Sequence, residues 1–224
     1  MHRSAFTFHP LRLIAALGSG LLAAELPAQP TGDLTVWAVE QMPGGRVTSQ
    51  GNTLIIEDTA GATVWYREKL TAPVEISYDV TVVMRDGPFD RLSDLNCFWM
   101  AVDPPSPHLR PSGRSGKFPE YSSLLTYYVG YGGNKNTTTR FRRYDGSPDR
   151  PLLPEHDLSD KKVLLVPNHS YHIRLVARDG VAEFWRDGEK IFSYVDPSPL
   201  ASGWFAFRTV RSHLEIRNFK VTHP

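Results

Sequence analysis

Two Asp-Gly pairs constrain this chain more than any other feature. Asp179-Gly180 and Asp187-Gly188 separate three short β-prone runs, Tyr171–Arg178, Val181–Arg186 and Lys190–Val195. Asp-Gly supplies the positive φ angles that a two-residue hairpin needs, so a three-stranded meander is predicted. The same punctuation recurs along the chain. In Val74–Met84, Ile76, Tyr78, Val80 and Val82 alternate with Glu75, Ser77, Asp79 and Thr81, the pattern of a sheet with one buried face. Leu34–Glu40 and Asp94–Val102 read as further strands. Thr53–Glu57 and Ala62–Glu68 read as a pair around an Asp58–Gly61 turn, and Met42–Gln50 as a turn. Trp204–Val210 and His213–Val221 read as a closing hairpin. Roughly ten to twelve strands, with no long helical period, define an all-β sandwich or barrel.

The first 28 residues have the form of a secretory signal peptide. Arg3 and Arg12 accompany a short apolar run, Leu11–Ala24, and Leu26-Pro27-Ala28 is a tolerable cleavage context. The run falls short of the roughly 20 residues a membrane span needs. The expected mature chain, 29–224, is a single domain, secreted or periplasmic, with no membrane association after removal of the leader. Without Arg3, Arg12 and Glu25 it carries 23 basic and 23 acidic residues. A neutral body argues against nucleic acid, whose binding rests on phosphate neutralisation. The single cysteine, Cys97, allows no internal disulfide and reads as a small buried hydrophobe.

Tyr121–Tyr144 is the stretch around which the expected site is organised. It predicts two strands, Leu124–Tyr131 and Thr137–Tyr144, around a Gly132–Asn136 turn. With a period of two, Thr138, Arg140, Arg142 and Tyr144 share one face, and Thr126, Tyr128 and Gly130 share a face of the first strand. Arginines, phenols and hydroxyls on one sheet face suit acidic sugars; an ordinary exposed antiparallel face is the competing interpretation. Two Pro/Gly-rich loops, Asp103–Glu120 and Asp145–Asp160, are long enough to be functional. The first is expected to rim the site. Trp99, Trp185 and Trp204 read as core residues. Asp94, Asp103 and Asp145 lack calcium-loop spacing, so no metal or other cofactor is implied.

The segments DLNCFWMAVDP, GKFPEY, YYVGYGGNKNTTTRFRRYDG and GWFAFRTVRSHLEIRNF resemble a secreted bacterial domain of unknown function, number 6250. It belongs to the concanavalin A-like lectin/glucanase superfamily and is akin to the YesU-like proteins associated with pectin-type polysaccharide breakdown. The resemblance spans roughly Asp33 to His223 and implies a jelly-roll β-sandwich of two antiparallel sheets. It carries no settled activity. The superfamily's Glu-x-Asp-x-x-Glu motif is missing: Glu75–Asp79 and Glu155–Asp157 lack the spacing that aligns two carboxylates for glycoside hydrolysis.

The residue types fit β-elimination on a uronate better, as in sandwich-type polysaccharide lyases. There a carboxylate must be neutralised before its α-proton can leave. Arg140 and Arg142 are the expected clamp, Tyr128 and His156 the expected acid and base. Asn96, His108, Tyr144, Arg208 and His213 are the expected substrate contacts. The expected partner is an oligo- or polysaccharide. Two alternatives stand beside the lyase: a non-catalytic, lectin-like module using the same face, and a structural sandwich that docks a partner.

Overall fold

The computed structural model describes residues 30–224. The signal-peptide expectation falls outside the described residues. The strands form two antiparallel sheets. The front sheet has the order β1 (Trp37–Gln41), β4 (Ala62–Tyr66), β14 (Ser202–Thr209), β7 (Leu95–Val102), β8 (Leu125–Gly132), β9 (Thr138–Asp145) and β10 (Asp157–Leu158), with β5 (Leu70–Thr71) also paired to β14. The back sheet runs β13 (Glu189–Val195), β12 (Val181–Arg186), β11 (Ser170–Arg178), β6 (Val74–Val82), β15 (His213–Thr222), β3 (Thr53–Glu57) and β2 (Arg46–Gln50).

The Asp-Gly meander forms as the turn chemistry requires, with Asp179 and Asp187 at positive φ. Two other expected hairpins do not form. Strands β3 and β4 lie in different sheets, and so do β14 and β15, so the chain crosses the sandwich at Asp58–Gly61 and again at Val210–Ser212. Residues 34–36 make a 3-10 turn instead of the start of a strand, and 46–50 make β2 instead of part of a turn.

Alternation decides which side chains meet between the sheets. Ile76, Tyr78, Val80 and Val82 of β6 face Cys97 and Trp99 of β7 and Phe205 and Phe207 of β14 in one buried core. Aromatic edges fill it: Tyr78 meets Phe207 at 4.9 Å and 89°, an edge-to-face pair. Trp185 is an exception to the expected core tryptophans. It lies on the outer face of the back sheet with the Arg174 guanidinium 4.1 Å from its ring centroid.

The outer face of the front sheet is not open. Trp65, Phe98, Tyr128, Tyr144 and Trp204 form a second apolar cluster there, closed by Tyr121 and Leu124. The long loop is what closes it. Glu40, buried on β1, accepts hydrogen bonds from Trp65 Nε1 (2.9 Å), Tyr121 Oη (2.9 Å) and the Arg114 backbone N–H (3.1 Å). One carboxylate thus pins the loop to the sheet, and the loop covers the face it was expected to rim.

Candidate functional site

Register brings most of the expected residues together. Across the front sheet, Arg208 of β14 pairs with Asn96 of β7, Asn96 with Gly130 of β8, and Gly130 with Arg140 of β9. The next row of the same face sets Phe98 beside Tyr128, and Tyr128 beside Arg142. Gly130 has no side chain, and a Cβ there would sit 3.0 Å from the Tyr128 hydroxyl. A cavity of about 220 Å³ opens over it, walled by Phe118, Tyr128, Asn134, Arg140, Arg142 and Arg150, with Asp94 and Thr138 also on its lining.

The turn between β8 and β9 completes the wall. Gly132, Asn134, Lys135 and Asn136 all take positive φ. Asn136 holds the turn by accepting from the Leu165 N–H at 2.8 Å and donating to the Leu165 carbonyl at 2.9 Å. Gly132 is required as well, because a Cβ would lie 2.3 Å from Leu165 Cδ1.

The hollow is rich in positive charge. Arg140 is neutralised by a bidentate pair with Asp157, at 2.7 and 3.0 Å. Arg142 donates to the Arg150 backbone carbonyl. Among the described residues neither Arg142 nor Arg150 forms an ion pair with a carboxylate. Burial lowers the Arg142 pKa, and the neighbouring Arg150 and Arg140 guanidiniums push the same way. Asp94, the one acid on the lining, lies 3.7 Å from Arg91.

The phenols keep their protons. Burial pushes the Tyr128 hydroxyl well above its ordinary value, and burial raises Tyr144 too. Among the described residues the Asn96 side-chain oxygen is buried without a hydrogen-bond partner. Arg208 is fully buried. It donates from Nη1 to the Gly116 carbonyl at 2.6 Å and to Thr63 Oγ1 at 3.0 Å, so it holds the covering loop down and does not line the hollow.

Three expected residues lie elsewhere. His156 sits in a 3-10 turn behind β9, edge-on to Phe141 at 4.9 Å. Phe141 points into the core, so β9 itself separates His156 from Tyr128. His213 begins β15 in the back sheet, 3.2 Å from Asp90. The error follows from the misread hairpin, since Arg208 and His213 belong to opposite sheets. His108 is exposed on the covering loop and does not line the hollow. Sequence reasoning missed Phe118, Asn134 and Arg150. The first and last are on the two Pro-rich loops, whose path over the sheet no local pattern encodes.

The two antiparallel sheets and their crossing connections define a concanavalin A-like jelly roll. Residues 56–219 match the family described as Domain of unknown function (DUF6250), and the chain belongs to that family. No curated protein matches it at the level of sequence. Among solved structures it is similar to a protein of unknown function with a galectin-like fold from Bacillus subtilis. The TM-score is 0.68 at 20% identity, covering 88% of this chain and 93% of that one. It is also similar to the carbohydrate binding module CBM66 from Bacillus subtilis (TM-score 0.56, 10% identity, 84% and 95% covered). A third similar structure is the exoplasmic/lumenal domain of VIP36 in its Ca²⁺/Man3GlcNAc-bound form (TM-score 0.53, 10% identity, 88% and 86% covered). At these identities the likeness concerns the fold.

Proposed function

We propose that this protein binds an acidic, uronate-bearing oligo- or polysaccharide in the hollow over Gly130. The observation that carries this is the set of three arginines on one small cavity, two of them without a carboxylate partner among the described residues. Clustered guanidiniums repel one another, and a ligand carboxylate relieves that repulsion while accepting paired N–H donors. Drug-sized ligands take pockets of roughly 300–1,000 Å³. A hollow of about 220 Å³ therefore suits a single sugar ring. Phe118 and Tyr128 contribute aromatic rings to the wall, and Asn134 and Thr138 offer polar groups for hydroxyls. Two structural neighbours, a carbohydrate binding module and a glycan-bound lumenal domain, support the same reading.

Binding without turnover accounts for the site better than β-elimination. Elimination needs a base close to its working pKa. Tyr128 and Tyr144 hold their protons tightly, and His156 lies behind the strand. The protein is placed outside the cytoplasm on its leader-like N-terminal sequence, which N-terminal sequencing of the exported chain tests.

Calorimetric titration with a panel of uronate-containing polysaccharides tests the reading, with absorbance of the unsaturated product followed in parallel. The expected result is salt-sensitive binding with no product. Absence of binding to every acidic glycan overturns it. Product formation lost in Tyr128→Phe replaces it with the lyase.

A further inference from the structure

A second cavity adjoins the hollow and differs from it in chemistry. Strand β10 pairs with β9 only at Thr139 and Arg140. From Phe141 onward no strand among the described residues lies along that edge of β9, and a cleft of about 200 Å³ opens there. Its walls are Phe141, Pro151, Leu153, His156 and Tyr194, all apolar or aromatic if the imidazole is neutral. Burial lowers the His156 pKa, which keeps the ring neutral at pH 7. Two of the three charged residues on the cleft's lining are already engaged. Arg143 pairs with Asp196 at 2.7 Å, and Asp145 accepts from the Ser147 N–H at 2.9 Å.

Two observations tie the cleft to the hollow. Arg142 lines both cavities. Strand β9 stands between the two cavities, and the loop beside it passes from one to the other: Arg150 lines the hollow, while Pro151 and Leu153 line the cleft. Leu153 is 41% exposed. It is therefore a large apolar side chain presented to solvent at the mouth of an apolar cleft.

We propose that the cleft is a second subsite, which takes a methyl-bearing sugar residue next to the uronate held in the hollow. This deepens the acidic-glycan reading and depends on it. The shared chemistry is a methyl group, which a methyl ester, an O-acetyl group or a 6-deoxy sugar can each supply. A pocket of this kind discriminates by about tenfold for one buried carbon.

The test titrates the full chain with four sets of oligouronides of equal length. One is unsubstituted, one partly methyl-esterified, one O-acetylated and one alternating with a 6-deoxyhexose. At least one substituted set is expected to bind about tenfold tighter than the unsubstituted one, and the set that does so identifies the source of the methyl group. Leu153→Asp is expected to abolish that preference, read as the ratio of substituted to unsubstituted affinity within the same variant, because the added carboxylate weakens every acidic chain alike. Leu153 is exposed enough that the variant should fold, which its thermal unfolding curve checks. A second variant, Tyr194→Ser, should reduce the same preference from the opposite wall. Equal affinity for all four sets, unchanged in Leu153→Asp, overturns the subsite and leaves the acidic-glycan reading intact. Failure of every set to bind overturns that reading and the subsite with it.

Discussion

The outer faces of the two sheets handle charge in opposite ways. On the back sheet the outward row is a ladder of matched pairs. Glu75 meets Arg174 at 3.0 Å, Glu183 meets Lys190 at 3.0 Å, and Glu215 meets Arg85 at 2.9 Å, while Asp79 is hydrogen-bonded to His172 at 2.7 Å. Such cross-strand pairs stabilise by roughly 0–1 kcal/mol each and leave little net field. On the front sheet the outward row is buried under a loop, and its arginines outnumber the acids near them. A face that satisfies its own charges is finished as a surface. A face that keeps two guanidiniums unmatched is suited to a ligand that arrives with the missing charge. The comparison also explains why the same period-two alternation on both sheets does not yield equivalent surfaces.

Four measurements can break or sharpen that contrast. The largest effect is expected for Glu40→Ala. It leaves Trp65, Tyr121 and the Arg114 N–H without their common acceptor, and should cost roughly 3 kcal/mol in urea unfolding. It should also loosen Phe118 and weaken binding, because the loop that carries it is freed. Unchanged stability would mean that the cover is held by packing alone.

Next, Arg142→Ala should weaken binding of an oligouronide by about 10- to 100-fold, the scale of hydrogen bonds to a charged group. Its unfolding midpoint should hold or rise, since a crowded guanidinium is removed. A falling midpoint with unaltered affinity would make Arg142 a structural residue.

Arg174→Ala probes the other face. Its ion pair with Glu75 is half-exposed, so the loss should stay within about 1 kcal/mol. Affinity for the oligouronide should not move. A matching loss of affinity would erase the distinction between the two faces.

The smallest effect is expected at the edge between the sheets, from His156. Burial depresses its pKa in the folded chain below the ordinary value near 6.5. The neutral ring is therefore favoured by folding. That contribution is fully present above about pH 6.5 and is lost as pH falls through the depressed value. The difference in unfolding midpoint between wild type and His156→Gln, followed from pH 7.5 down to pH 4, should shrink as the wild type loses this term. A constant difference across the range would show that the ring's titration does not feel the fold.

Local chemistry made part of this molecule legible from its residues. Asp-Gly turns join strands that are neighbours in both sequence and space, so the β11–β13 meander needed nothing beyond the turn rule. Alternation alone put Arg140, Arg142 and Tyr144 on one face and Phe141 on the other. It also placed Cys97 and Trp99 among the buried residues. These follow from backbone geometry within a few residues, which any strand obeys wherever it sits.

Tertiary structure decided the rest. Whether a strand pairs with its sequence neighbour or crosses to the opposite sheet depends on which partner buries its apolar row. That choice separated β3 from β4 and β14 from β15, and with the latter it parted His213 from Arg208. The alignment of Arg208, Asn96, Gly130 and Arg140 in one row needed four strands in a particular order. The path of the first Pro-rich loop needed Glu40 and the Arg208 guanidinium as anchors, both remote in sequence. Contacts between distant residues set the hollow and the cleft beside it, and a periodicity of two residues carries no information about them.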